Sequence, residues 1–333
     1  MTSCRSRRGP TRESGEAARR RSVVHAAFAI AVVFTVSLTS SPARAQCRTC
    51  PPASEPVGPE TRHSRWRGDL TVAAANVALG GATAALFQAV RGRPIRGALA
   101  RGALGGGVTY FGKRVAVSRF DGAGFLGREI AAVGGSVVRN AAEGSPALGR
   151  LMFPVGVARL YLEHPAPRDT LRRWRARLKL DLAGVVVTAY SAAHSKLRFD
   201  AASSLSTGAP VFRARSDFQP DEWRGAQMGG VIWVRGSADR GGAINERLYA
   251  DPRPHAVLAH ELVHVLQRDF SAAAWTVPAE GWLLARAGAG GVGRYVDLGL
   301  DVALQALLNQ VVVYEMRPWE HEARWLTSGR RDY

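Results

Sequence analysis

The chain has 333 residues, 46% of them hydrophobic, and a formal net charge of +18. That length and apolar content support a full core and exclude a disordered chain, and length alone suggests two domains or one large one. The charge comes from 42 Arg and only 3 Lys, spread along the sequence without aromatic interleaving, so no specific nucleic-acid partner is expected.

Arg19, Arg20 and Arg21 precede an uncharged apolar stretch, Val23 to Leu38, and the small-x-small triplet Ala43-Arg44-Ala45. This is the layout of a secretory signal, and sixteen residues fall short of the roughly 20 that a membrane span needs. Residues 1–45 are therefore expected to be a signal peptide, placing the protein in the periplasm or cell envelope. Cleavage there removes eight Arg and two Glu and leaves +12. It also leaves Cys47 and Cys50 near the new terminus as a disulfide candidate in an oxidising compartment. Arg44 occupies the position three before Cys47, where a lipoprotein signal wants an aliphatic residue, so lipidation is not expected.

Residues 46–69 are Pro-rich and polar and predict a linker. Residues 70–145 are rich in Gly and Ala, with no charge from Leu70 to Val90. Small residues recur there at three- and four-residue spacing, such as Gly102 and Gly106, which lets helix backbones approach closely. A helical layer is predicted, either soluble or associated with a membrane.

Residues 150–333 change period. "WRARLKLDL" alternates, with Trp174, Ala176, Leu178, Leu180 and Leu182 on one face and Arg175, Arg177, Lys179 and Asp181 on the other, as in a half-buried strand. "VGVARLYLE", "GVVVTAYSAA", "KLRFDAA", "PVFRAR" and "GGVIWVRG" read as further strands, giving a mostly antiparallel meander between 153 and 236. Helical periods return in "AINERLYA", "HAVLAHELVHVLQRDF", "GWLLARAG" and "DVALQALLNQVVVYEM". The order predicts an α+β fold: a helical layer, an antiparallel sheet, then helices.

Within "HAVLAHELVHVLQRDF", His260 and His264 stand four apart, so a helix offers both imidazoles to one ion. Glu261 lies about 100° round the same helix, where it reaches a water on that ion instead of the ion itself. The flanking residues are apolar all round, and a buried helix carrying two His and a Glu is costly unless those groups have partners.

"LAHELVHVLQ" resembles the active-site helix of the zincin metallopeptidases. The Gly and His of their extended form are absent, Gln267 and Phe270 standing in those places. The resemblance therefore implies the gluzincin arrangement, with zinc as cofactor and a downstream carboxylate as third ligand. The later acids are Glu280, Asp297, Asp301, Glu315, Glu320 and Glu322. "WEHEAR" is similar to the Glu-x-x-Ala-Asp helix of membrane-linked gluzincins, which maps the ligand onto Glu320, with Glu322 and Glu315 as alternatives. The final Asp of that pattern is Arg324 here, so another acid, such as Asp269 or Glu315, is expected to support a ligating histidine. Tyr295, Tyr314, Arg317 and His321 are the candidates for oxyanion or outer contacts.

The implied activity is hydrolysis of a peptide or protein substrate, with Glu261 as general base and "GGVIWVRG" as the edge strand that holds the substrate. The competing expectation is a non-catalytic envelope protein in which a degenerate zincin-like site is structural.

Overall fold

The computed structural model describes residues 62–118, 120–164, 174–214, 225–235, 252–312 and 317–328. The signal peptide, Cys47, Cys50, "AINERLYA", Tyr314 and Glu315 lie outside them.

Three helices open the described chain: α1 (Arg62–Val90), α2 (Arg96–Ala116) and α3 (Ala123–Glu143). α1 begins inside the stretch expected to be linker, so that linker ends earlier than its composition suggests. The layer is packed through glycine. A Cβ on Gly106 would overlap the carbonyl of Asn76 on α1, and one on Gly127 would overlap the backbone of Ala116 on α2. Each glycine costs helix stability of about 0.5–1 kcal/mol relative to alanine, and here the loss is offset by backbone-to-backbone approach. Trp66–Val90 is the one helix among the described residues that is long and apolar enough to cross a membrane.

Two four-stranded mixed sheets follow. The first has the order β1-β2-β3-β8, from β1 (Arg150–Val155), β2 (Ala158–Glu163), β3 (Arg175–Asp181) and β8 (Val296–Asp297). The second has the order β4-β5-β7-β6, from β4 (Leu197–Phe199), β5 (Val211–Ala214), β6 (Gly225–Met228) and β7 (Val231–Arg235). Pairing is antiparallel except for β3 with β8 and β5 with β7. The coarse α+β class holds, but the single antiparallel meander does not.

The meander fails chiefly at "GVVVTAYSAA", which is helix α4 (Leu182–Ala193) and not a strand. The Asp181 carboxylate accepts from the Gly184 N–H and caps it. Its buried residues, Ala183, Gly184, Val187 and Ser191, follow helical spacing, so this face overrides the strand preference of three consecutive valines. Asp200 likewise caps α5 (Ala201–Thr207) through the Ser203 N–H, cutting "KLRFDAA" after Phe199.

β3 is a strand as predicted, but it is not half-buried along its length: Arg175, Ala176 and Arg177 are exposed, and its leucines do not face the core. Leu178 is 60% exposed and Leu180 49% exposed, while Asp181 is buried. Arg159 takes the interior side of β2, within ion-pair distance of Asp181 (3.0 Å), Asp297 (3.4 Å) and Asp301 (3.7 Å). Arg268 pairs with Asp181 at 2.6 Å and with Asp301, and Tyr161 donates to Asp297 at 2.5 Å. Charge fills the β3 and β8 part of that side, while Met152 and Tyr161 pack there with Ala272, Ala273 and Val277.

The helix α6 (Pro252–Ser271) runs through the middle, with Pro254 in its first turn. Leu258, Leu262, Val265 and Leu266 pack with Val211, Ile232 and Val234 of the second sheet. Ala259 and Val263 pack against Ala323 and Leu326 of α9 (Pro318–Ser328). Phe270 meets Val138 of α3. A helix buried on every side explains its apolar circumference. Between α6 and α9 lie a π-helical turn (Ala272–Thr276), α7 (Val277–Arg286) and α8 (Leu300–Val311).

Candidate metal centre

His260 and His264 project from one face of α6, and Glu320 reaches them from the first turn of α9. The Nε2 atoms of the two histidines lie 3.1 Å apart. Glu320 Oε2 lies 3.3 Å from His260 Nε2 and 3.4 Å from His264 Nε2. All three residues are buried. Ligand atoms about 2.0–2.2 Å from a tetrahedral ion are separated by roughly 3.3–3.6 Å, close to the sides of this near-equilateral triangle. The group can hold a metal ion.

The protonation pattern supports a cation. Burial opposes charge on His264, but the hydrogen bond and charge of Glu320 outweigh it and raise its pKa to about 9. Burial, with His264 as a like-charged neighbour, pushes His260 down. Burial would raise Glu320, yet its hydrogen bonds from the two histidines hold it well below the usual carboxylate range. A proton thus sits where an ion would, and the two compete. Apparent affinity for a divalent ion is expected to rise by about tenfold per pH unit up to about pH 9, as this proton is released. Titrations over that range check it, and a flat profile would contradict it.

Glu261 is 4% exposed, and burial raises its pKa to about 8. It stands beside β6, where a Cβ on Gly225 would lie 2.9 Å from Glu261 Oε1. Gly225 thereby gives the carboxylate its room. Sequence reasoning missed this glycine because its strand was not recognised. β7, expected as the edge, lies between β5 and β6, and the outer strands are β4 and β6.

Of the other acids, none joins the histidines among the described residues. Glu280 accepts the Leu298 and Leu300 N–H groups, each at 2.7 Å. Asp297 and Asp301 belong to the Arg159 cluster. Asp269, expected behind a histidine, pairs instead with Arg128 at 2.7 Å. Glu322 points from α9 to Lys113 Nζ at 2.8 Å and does not join the triangle. Arg317 donates to the Val312 and Asn309 carbonyls and closes α8. Tyr295 is 70% exposed beside β8, and His321 is exposed on α9.

No family model, curated protein or solved structure matches the chain. The geometry stands by itself.

The residue behind His264 is Gln267, whose Oε1 lies 2.8 Å from His264 Nδ1. Its position three after His264, on the same helix face, is the signal that could have found it.

Proposed function

We propose that the protein is a zinc-dependent metallopeptidase of gluzincin type. The observation that carries this reading is the convergence of His260, His264 and Glu320 on one buried point, with the buried acid Glu261 beside them and outside the triangle. Two imidazoles and a carboxylate are a donor set that suits zinc. The spacing of the two histidines and the resemblance of "LAHELVHVLQ" and "WEHEAR" to the gluzincin helices support the same ion.

When bound, zinc supplies Lewis acidity and brings the pKa of a water in its open position to about 7. His260, His264 and Glu320 would hold the ion. Glu261, made the stronger proton donor by a nearby cation, would be ionised there, would take a proton from the attacking water and would return it to the leaving amine. The secretory layout of residues 1–45 and the apolar helix Trp66–Val90 support a place in the cell envelope, on or near a membrane.

A structural site needs no general base, so the position of Glu261 favours catalysis over the non-catalytic reading. Purified full-length protein is expected to cleave an unstructured protein such as casein. A zinc chelator should abolish the cleavage, and added zinc should restore it. Cleavage that survives complete metal removal would rule the reading out.

A further inference from the structure

The buried groups behind Glu322 form a chain that the proposed chemistry does not use. Gln267 Nε2 donates to the Trp319 carbonyl at 2.9 Å and to Glu322 Oε2 at 2.7 Å. Two acceptors on the amide nitrogen fix its orientation, so Oε1 faces His264. An amide oxygen only accepts, so His264 Nδ1 carries the proton and donates, which leaves Nε2 to face the ion. Glu322 in turn accepts from Lys113 Nζ at 2.8 Å through each oxygen, and from Asn76 Nδ2 at 2.7 Å. Lys113 Nζ donates its third hydrogen to Asn76 Oδ1 at 2.9 Å.

Every donor and acceptor in this series has a partner, and Lys113 is only 4% exposed. Three acceptors round one compact ammonium explain why one of the chain's three lysines, and not an arginine, stands here. Asn76 reaches the cluster because Gly106 lets α1 close on α2 at that level. The glycine-packed layer is thus joined through one polar series to a metal-ligating side chain.

We propose that Asn76 and Lys113 are positioning residues for the metal centre, acting through Glu322 and Gln267 to hold His264 with Nδ1–H donated and Nε2 turned to the ion. The proposal rests on reading the His260, His264 and Glu320 triangle as a zinc site. It makes the N-terminal helices part of the centre's support and not an appended layer. Partners of this kind behind a ligating histidine usually alter metal affinity by about 10–100-fold.

The test is zinc affinity of the full chain, measured with zinc alone by competition against a chelating indicator, with circular dichroism as the check on folding. Gln267→Leu and Lys113→Met should each weaken zinc by about 10–100-fold. Because both act through one series, the double variant should be little weaker than Gln267→Leu alone. Nitrogen-15 NMR of the metal-free protein above about pH 9, where the His264 ring is neutral, should show it as the Nδ1–H form in wild type and as a mixture in both single variants. If Lys113→Met does not fold, Lys113→Met with Glu322→Gln replaces it, since both buried charges are then removed together. Wild-type affinity in both single variants would overturn the proposal and leave the zinc site standing, and so would additive losses. A wild type that binds no zinc would overturn the zinc reading itself and the proposal with it.

Discussion

Glu261→Gln is expected to bind zinc as tightly as wild type and to lose about 10²–10⁴-fold in kcat/KM for peptide hydrolysis, the usual contribution of a general base. The substitution keeps the side chain's size in a tight place, beside Val257 and the bare α-carbon of Gly225. It removes only the ability to take a proton. Burial raises the carboxyl of Glu261 to about 8 in the metal-free protein, so the folded state holds this proton more firmly than the unfolded chain does. The sign follows: the metal-free protein loses stability as pH rises from the ordinary carboxylate range towards about 8. Glu261→Gln removes this residue's share of that slope and leaves the shares of His264, Glu129 and Glu280. Denaturant titrations of metal-free wild type and variant at several pH values check it, and zinc content with peptide cleavage checks the rest. Full activity in the variant would remove Glu261 from the mechanism.

Arg159→Met is expected to destabilise the fold by about 3–5 kcal/mol, the usual cost of stripping one partner from a buried ion pair. Arg159 is 1% exposed and faces Asp181, Asp297 and Asp301, while Arg268 and Lys179 supply the remaining positive charge. Without it, two or three acids share too few counter-charges in a dry interior. Marginal stability of about 5–15 kcal/mol makes that loss a large fraction of the whole. Arg268 belongs to α6, so the same cluster anchors the end of the metal-bearing helix to the first sheet. Chemical unfolding of the metal-free protein measures it, and a loss below about 1 kcal/mol would contradict a coupled network.

The cluster also shows where sequence reading stops. Alternation in "WRARLKLDL" reveals a strand's period but not which face turns inward, since that depends on the ionic partners brought by β2, β8 and α8. Nothing local in "ARLYLE" marks Arg159 as interior. The three valines of "GVVVTAY" favour a strand by themselves, and only the cap from Asp181 and the packing of Val187 and Ser191 make a helix. The helical layer was more legible because glycine spacing is itself the packing device.

At the metal centre, two of the three converging side chains come from one helical turn, and their spacing carries the inference. The third cannot be read from spacing. The resemblance points to Glu320 ahead of Glu322 and Glu315, and the twist of α9 separates the first two by pointing one at the histidines and the other at Lys113. The series from Gln267 to Asn76 spans four helices far apart in sequence, so only the assembled fold reveals it.

Metal content of the purified full chain is the most direct measurement of the central claim. One zinc per chain is expected in wild type, with loss of stoichiometric binding in both His264→Ala and Glu320→Ala. Wild type without stoichiometric zinc, or Glu320→Ala with its full complement at unchanged affinity, would contradict the site as described.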